Sequence, residues 1–384
     1  MNQLRILGIN ASRARSGGAK SHLIGILNSI DKPGHQIDRV HVWSYSELLN
    51  QLVNKEWITK HIVNPKNILN EVFWEAFTLP KKMIENKCTI ALNIDSGSFN
   101  RFYPYISMSR DMLSYEPGIM QKYGLSISRL RLIVLRYVQN STLRSSNGSI
   151  FLTKYASETI QKSAGKLKEF MLIPHGVDES FRFKPREKKI LKNNKRIKCI
   201  YVSNAAPYKH QNEVVKAVSS LKTKYPNIHL TLTGGGIAGR GNKENNKLLN
   251  TIEDHDPERR FIKLLGYIDH SKLPSILKSA DIFIFASSCE NMPNTLLEGM
   301  SAGLPIACSD RGPMPEILKD YGVYFNPEDY NSIALSIDKL IFDDVFRNRI
   351  AKKSFHHAKN FSWEKCSKST FKYISKVHRK YYEN

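Results

Sequence analysis

The sequence is poor in cysteine. Five residues (Cys88, Cys199, Cys289, Cys308 and Cys366) are scattered over 384 positions. The number is odd and no pair has the close spacing of a zinc or dithiol motif, so neither a disulfide framework nor a structural metal is expected. Long hydrophobic runs are missing as well. The strongest, at 132–135 and 282–286, are the length of a core strand and far short of the roughly 20 apolar residues of a membrane span. The opening residues lack the apolar region and small-residue cleavage site of a signal peptide, which predicts a soluble cytoplasmic chain. Acidic residues are outnumbered, 35 Asp and Glu against 58 Lys and Arg, for a formal net charge of +23. Residues 1–180 carry 23 basic and 14 acidic side chains, and the remainder 35 and 21. So general a field favours polyanions, whether nucleic acid, anionic lipid headgroups or phosphorylated small molecules, and does not choose among them. No helix-turn-helix, zinc-finger or aromatic RNP pattern accompanies it, which argues against nucleic-acid binding. The opening loop lacks G-x-G-x-x-G and its following acidic residue, which argues against a nicotinamide dinucleotide. No D-x-D pair lies in a cleft-like context, and Glu253-Asp254-His255-Asp256 reads as a solvated polar loop.

What is present is an α/β alternation in both halves. Hydrophobic residues make up 41% of the chain, enough for two cores, and the length suits two domains. Short β-branched or apolar runs alternate with amphipathic stretches, the mark of parallel α/β units. Strands are expected at 4–9, 35–43, 88–94, 104–107, 149–153 and 171–174. A small-residue and glycine loop at 12–18 leads into a helix, and a long helical pattern fills 121–144. Residues 181–198 hold nine basic residues, one acidic residue and Pro185, without an apolar period, and read as a linker. A second series follows, with strands at 197–202, 229–233, 261–265, 281–286 and 305–309 and helices at 214–225, 273–279 and 294–302. The expected organisation is a first domain over 1–180, a basic linker over 181–196 and a second domain over 197–384. The last helix, about 364–384, packs back on the first domain in this scheme.

The most informative stretch runs from Ser287 to Ile306. A hydrophobic strand ends before Glu290. Pro293 sits where the first turn of a helix accepts it, Leu296, Leu297 and Met300 form an apolar face, and Gly303 is a helix stop. The helix N-terminus therefore lies at the carboxyl end of a parallel strand, where α/β folds place ligands, and its unpaired N–H groups suit a phosphate. Glu290 and Glu298 would repel a phosphate if both faced it, but fit if each accepts hydrogen bonds from sugar hydroxyls. The plainer alternative is a capping Glu290 and a solvated Glu298. His175, beside Gly176, reads as a hinge residue hydrogen-bonded to backbone.

Glu290 to Glu298, with Pro293, Leu297, Met300, Ala302, Gly303, Pro305 and Asp310-Arg-Gly-Pro-Met-Pro-Glu-Ile317, resembles the E-x7-E signature of retaining glycosyltransferases of the group 1, or GT4, type. The resemblance extends to Leu172-Ile-Pro-His-Gly-Val-Asp178, to Tyr201-Val-Ser-Asn204 with Tyr208-Lys209-His210, to Leu230–Gly236, to Leu265-Gly266-Tyr267 and to Phe361-Ser-Trp363. It covers the second half almost throughout, and the first half only in its glycine loop and layout. It implies a GT-B fold, two Rossmann-like doubly wound domains facing a cleft. By the same resemblance Glu298 binds the ribose of a nucleotide-sugar donor and Glu290 contacts the donor sugar, while the N–H groups around Asn294, Thr295 and Leu296 hold the diphosphate. Lys209 neutralises the diphosphate as it leaves, Gly17 and Gly18 let the first-domain loop approach it, and Gly266 and Tyr267 lie near the base. Two departures stand out. Asn204 occupies the position of a common family arginine, and Arg110-Asp111 stands where many members have His-Asp. Asp111 is thus a sugar-contact and catalytic candidate beside Glu290 and Lys209, and Arg110 an acceptor or phosphate candidate. The family implies no cofactor and no metal.

The reaction implied is transfer of a sugar from a nucleotide diphosphate sugar to an acceptor hydroxyl with retained configuration. The style is that of bacterial surface-polysaccharide enzymes, with a lipid-linked glycan as acceptor. Arg129, Arg136 and Arg144 among Leu130, Leu132, Ile133, Leu135 and Val138 suit peripheral docking on the anionic inner face of the cytoplasmic membrane. A core helix with salt-bridged arginines is the competing reading. A sugar-nucleotide epimerase on the same fold, and a basic nucleic-acid-binding protein, remain as rival functions.

Overall fold

The computed structural model describes residues 4–14, 17–32, 37–187, 196–234 and 243–383. Among the described residues, thirteen short strands form two parallel sheets. The chain divides into two units, Met1–Gly176 with Phe361–Asn384, and Val177–Asn360.

In the first unit the strands are β1 (Ile6–Asn10), β2 (Arg39–Ser44), β3 (Ile58–Ile62), β4 (Ile90–Asn93), β5 (Tyr105–Met108), β6 (Gly148–Phe151) and β7 (Phe170–Leu172), in the order β3-β2-β1-β4-β5-β6-β7. All are parallel. β1, β4, β5 and β6 are buried at every position, as parallel strands covered on both faces must be. Each fully buried Leu7 or Ile9 contributes about 1.5–3 kcal/mol relative to exposure. The terminal helix, Trp363–Tyr382, supplies Cys366, Phe371, Tyr373, Ile374 and Val377 to the cluster that holds Leu7, Ile9 and Leu23. Its entry is fixed by glycines. A Cβ on Gly25 would come within 2.2 Å of the Trp363 ring, and one on Gly176 within 2.1 Å of the Trp363 nitrogen.

In the second unit β8 (Ile197–Val202), β9 (Ile228–Thr233), β10 (Ile262–Leu264), β11 (Ile282–Phe285), β12 (Ile306–Ser309) and β13 (Val323–Phe325) take the order β10-β9-β8-β11-β12-β13. The order reverses between β8 and β11, as it does between β1 and β4 in the first unit. In such sheets that switch point, at the carboxyl ends of the strands, is where ligands bind.

The structure departs from the sequence expectations in several places. The first unit ends at Gly176 rather than at 180, and it takes in Phe361–Asn384, which includes the last helix that the scheme above packs on the first domain. Much of the expected linker, 188–195, lies outside the described residues, as do 15–16 of the glycine loop, 33–36 at the start of the expected second strand, and Gly235 and Gly236. The long pattern at 121–144 is two helices, Ile119–Lys122 and Ile127–Ser145, because Gly124 takes φ +57° and Ser126 caps the second through its side chain. Glu253 to His255 close the Lys243–His255 helix rather than forming a loop. Asp256 is buried and accepts from the N–H groups of Arg260, Phe261 and Ile262 at 2.9, 2.9 and 2.7 Å.

Candidate functional site

At the carboxyl end of β8 the chain turns through Pro207–Lys209 into the Gln211–Leu221 helix, with His210 in the left-handed region at φ +48°. The turn is tied to the loop after β11. Ser288 N–H donates to Tyr208 O at 2.8 Å, His210 Nε2 lies 2.8 Å from Ser288 Oγ, and Tyr201 O–H donates to Lys209 O at 2.8 Å. These bonds bring the Lys209 ammonium onto the Glu290 carboxylate as an ion pair, both side chains mostly covered. His210 and Ser288 were not legible as site residues; their 78-residue separation leaves no local pattern.

Glu290 runs into the helix Asn294–Ser301. Pro293 is its N-cap, in extended conformation, rather than a first-turn residue, and no side chain caps the helix. The N–H groups of Asn294, Thr295 and Leu296 therefore have no carbonyl one turn behind them, at the positive end of the helix dipole. The helix lies close on its sheet because position 299 is glycine, where a Cβ would come within 2.8 Å of the Phe283 ring. It stops at Gly303, φ +65°, where a Cβ would lie 2.6 Å from Phe183 O.

Glu298 is 4% exposed. Its Oε1 lies 2.8 Å from His270 Nε2, and Oε2 is sealed without a hydrogen-bond partner. The bond to Glu298 raises the His270 pKa above its ordinary 6.5, against the opposing effect of burial, with further support from Glu298, Asp178 and Asp269 charges. His270, on the turn after β10, is a third residue the sequence did not reveal. Gly266 accepts from Gly234 N–H at 2.8 Å and from Thr233 Oγ1 at 3.1 Å, and Tyr267 and Asn204 are exposed at the same strand ends. The second unit thus combines an ammonium, uncapped N–H groups and a buried carboxylate oxygen in need of a donor. That set accommodates a phosphate joined to a group bearing hydroxyls.

In the first unit Gly17 opens the Gly17–Asn28 helix at φ +58° with nothing within 4 Å of a would-be Cβ, and Gly18 follows it, partly exposed. The loop ahead of them is latched by Glu75, a fully buried residue on the π-helical turn Trp74–Thr78. Glu75 accepts from Asn10 Nδ2 at 2.9 Å, Ser12 Oγ at 3.0 Å, Phe99 N–H at 3.1 Å and Arg13 Nε at 3.0 Å. No sequence pattern marked it. Asp111 accepts from Leu113 N–H at 2.9 Å and bonds Gln139, and burial pushes its pKa up. Arg110 follows β5 and is drawn down to about 10 by burial. His175 Nδ1 is 3.0 Å from Gly176 O, and its ring stacks on Trp363.

Two parallel units of this topology define the GT-B fold, and solved structures share it. Sucrose-phosphate synthase from Thermosynechococcus elongatus aligns with a TM-score of 0.77 at 16% identity, covering 99% of each chain. HepE of Anabaena in complex with UDP aligns at 0.73 and 18% identity, covering 97% of this chain and 100% of that one. Residues 183–357, which lie within the second unit, match the family model for "Glycosyl transferases group 1". Among curated proteins, O-antigen chain mannosyltransferase B of Escherichia coli is 29% identical over 176 residues, 45% of this chain and 44% of that one. A phosphatidylinositol N-acetylglucosaminyltransferase component of Arabidopsis thaliana is 25% identical over 55% of this chain and 45% of its own. The chain spans less than half the length of these curated relatives.

Proposed function

We propose that the protein is a retaining glycosyltransferase that moves a sugar from a nucleotide diphosphate sugar to an acceptor hydroxyl without a metal or further cofactor. The observation that carries this reading is Glu298, a buried carboxylate with one oxygen held by His270 and the other sealed and unpartnered. An unsatisfied buried acceptor is costly, and a ribose hydroxyl is the donor that relieves it. The N–H groups at Asn294 to Leu296 then face the diphosphate. Lys209 exchanges its bond to Glu290 for the phosphate oxygens, which leaves Glu290 to orient the donor sugar. As the C1–O bond breaks, the diphosphate departs with the electron pair and Lys209 stabilises the charge that grows there. The acceptor oxygen bonds to C1 on the same face, and its proton passes to the leaving phosphate oxygen. Gly17 and Gly18 serve the diphosphate from the first unit, Gly266, Tyr267 and Asn204 the nucleoside, and Asp111 the donor sugar.

The acceptor in this reading is a growing lipid-linked glycan of surface-polysaccharide synthesis at the inner face of the cytoplasmic membrane. The relative named for O-antigen mannosyl transfer supports the glycan. The helix Ile127–Ser145 supports the membrane. Leu125, Ile127, Leu130, Ile133, Val134 and Tyr137 are 49–100% exposed, and no Asp or Glu occurs between Glu116 and Glu158. Among the described residues none of Arg129, Arg131, Arg136 and Arg144 is in an ion pair, which speaks against the salt-bridged reading. An exposed apolar stripe with basic flanks matches an anionic bilayer. A thermal-shift screen of UDP-, GDP- and ADP-sugars tests the donor half. One nucleotide class raises the midpoint and Glu298→Ala abolishes the rise; a rise that survives this substitution overturns the ribose assignment.

A further inference from the structure

A second set of unsatisfied polar atoms lies wholly within the first unit. Arg110 follows the carboxyl end of β5, and its Nε and Nη1 are sealed from solvent with no hydrogen-bond partner. His22, on the Gly17–Asn28 helix, is 1% exposed and its Nδ1 has no partner. The two are close enough for the guanidinium to add to the effect of burial in holding the imidazole neutral. Cys366, on the terminal helix, places its Sγ 3.8 Å from His22 Nε2, so Nε2 is engaged and Nδ1 is the ring nitrogen left over. Three sealed nitrogens of the first unit, two of them on a cation, stand without a partner.

The nearby carboxylates do not fill them. Asp95, whose charge Arg110 feels, accepts from Gly97 N–H at 2.6 Å and makes no ion pair with Arg110. Asp111 is engaged by Leu113 N–H and Gln139. Guanidinium N–H groups drawn out of water and left unbonded are costly to a fold, and the planar fork matches an oxyanion in two-point geometry.

We infer that Arg110 and His22 form an oxyanion site in the first unit that takes a phosphate or carboxylate group carried by one of the sugar substrates. The inference rests on the glycosyl-transfer reading for the identity of the carrier, whereas the donors themselves do not depend on it. It narrows the substrate to an anionic one, either a sugar phosphate, including a lipid-linked diphosphate, or a uronic acid.

The test is a histidine NMR titration of the full chain with inorganic phosphate, D-glucuronate or chloride at constant ionic strength, the His22 signals assigned from His22→Gln. Phosphate, glucuronate or both shift the His22 ring signals saturably and chloride does not; which of the two binds more tightly identifies the source. Arg110→Gln weakens the response about tenfold or more, the loss expected for a charge-assisted hydrogen bond, and Lys209→Ala leaves it unchanged. If Arg110→Gln does not fold, Arg110→Lys keeps the charge and loses the fork, and the same weakening is expected. Equal responses to all three anions, no response at millimolar anion, or a response that survives the Arg110 change overturns the site. The nucleotide-sugar thermal shift and its loss in Glu298→Ala are read separately, so failure here leaves the donor assignment standing, and failure there leaves this site standing.

Discussion

His270 Nε2 sits 2.8 Å from Glu298 Oε1 across 28 residues of sequence, joining the turn after β10 to the helix after β11. The pair has a definite pH signature. The His270 pKa in the folded protein is raised above 6.5 by Glu298. Its contribution to stability is therefore complete below the unfolded value and is lost as pH climbs through the folded value. Thermal midpoints measured from pH 5.5 to 8.5 should fall more steeply for the wild type than for His270→Gln, the difference closing at the alkaline end. Parallel curves would show that the pair contributes nothing to stability.

Lys209 is expected to matter more for turnover than for folding. Its partner Glu290, though mostly covered, keeps 16% of its side chain exposed, so Lys209→Ala leaves a carboxylate that water still reaches, and the melting midpoint falls only modestly. The leaving diphosphate, by contrast, loses its compensating charge. Initial-rate kinetics should show kcat reduced about 100- to 1,000-fold, the range seen when one preorganised electrostatic group is removed. A loss confined to KM would mean that Lys209 binds ground state and transition state alike.

Glu75 is the reverse case. It is fully buried and takes hydrogen bonds from Asn10, Ser12, Phe99 and Arg13. Glu75→Ala removes the acceptor shared by these groups and by Ser98 Oγ at 3.5 Å and breaks the ion pair with Arg13, at a cost of about 3–5 kcal/mol. Denaturant unfolding should report this as a lower midpoint for the transition of the first unit, while nucleotide binding by the second unit persists in native conditions. A loss under about 1 kcal/mol would mean that water replaces the carboxylate at no great cost.

The exposed face of Ile127–Ser145 predicts a separation of stability from membrane affinity. Ile127→Asp with Leu130→Asp changes two solvent-facing positions, so the midpoint should move by no more than about 0.5 kcal/mol per site. Co-sedimentation with vesicles rich in anionic lipid at low salt should drop sharply for the double variant. Equal binding of the wild type to anionic and neutral vesicles would remove this face as a membrane contact.

What the sequence disclosed follows from locality. The strand–helix unit around Glu290 and Glu298 was readable because strand, proline, apolar face and terminating glycine fall within 20 residues, and the structure differs there by one position at Pro293. β3 was not expected because Ile58–Ile62 is an edge strand without a single buried residue, so no apolar period betrays it. Gly124 split a helix that its hydrophobic pattern continued across, since periodicity reports which face is apolar and not whether the backbone is unbroken. The partners His270, Ser288 and Glu75 are set by tertiary geometry alone. No spacing rule connects residues 28, 78 or 65 positions apart.

The division of the chain at Gly176 and Phe361 bears on how it is made. The second unit is one uninterrupted segment, Val177–Asn360, and has its whole sequence available before residues 361–384 are translated. The first unit begins synthesis earlier yet lacks Phe371, Tyr373 and Ile374 from its core until those later residues are made. Ribosome-bound nascent chains stopped near 360 should thus hold a protease-resistant later half and a protease-sensitive earlier one.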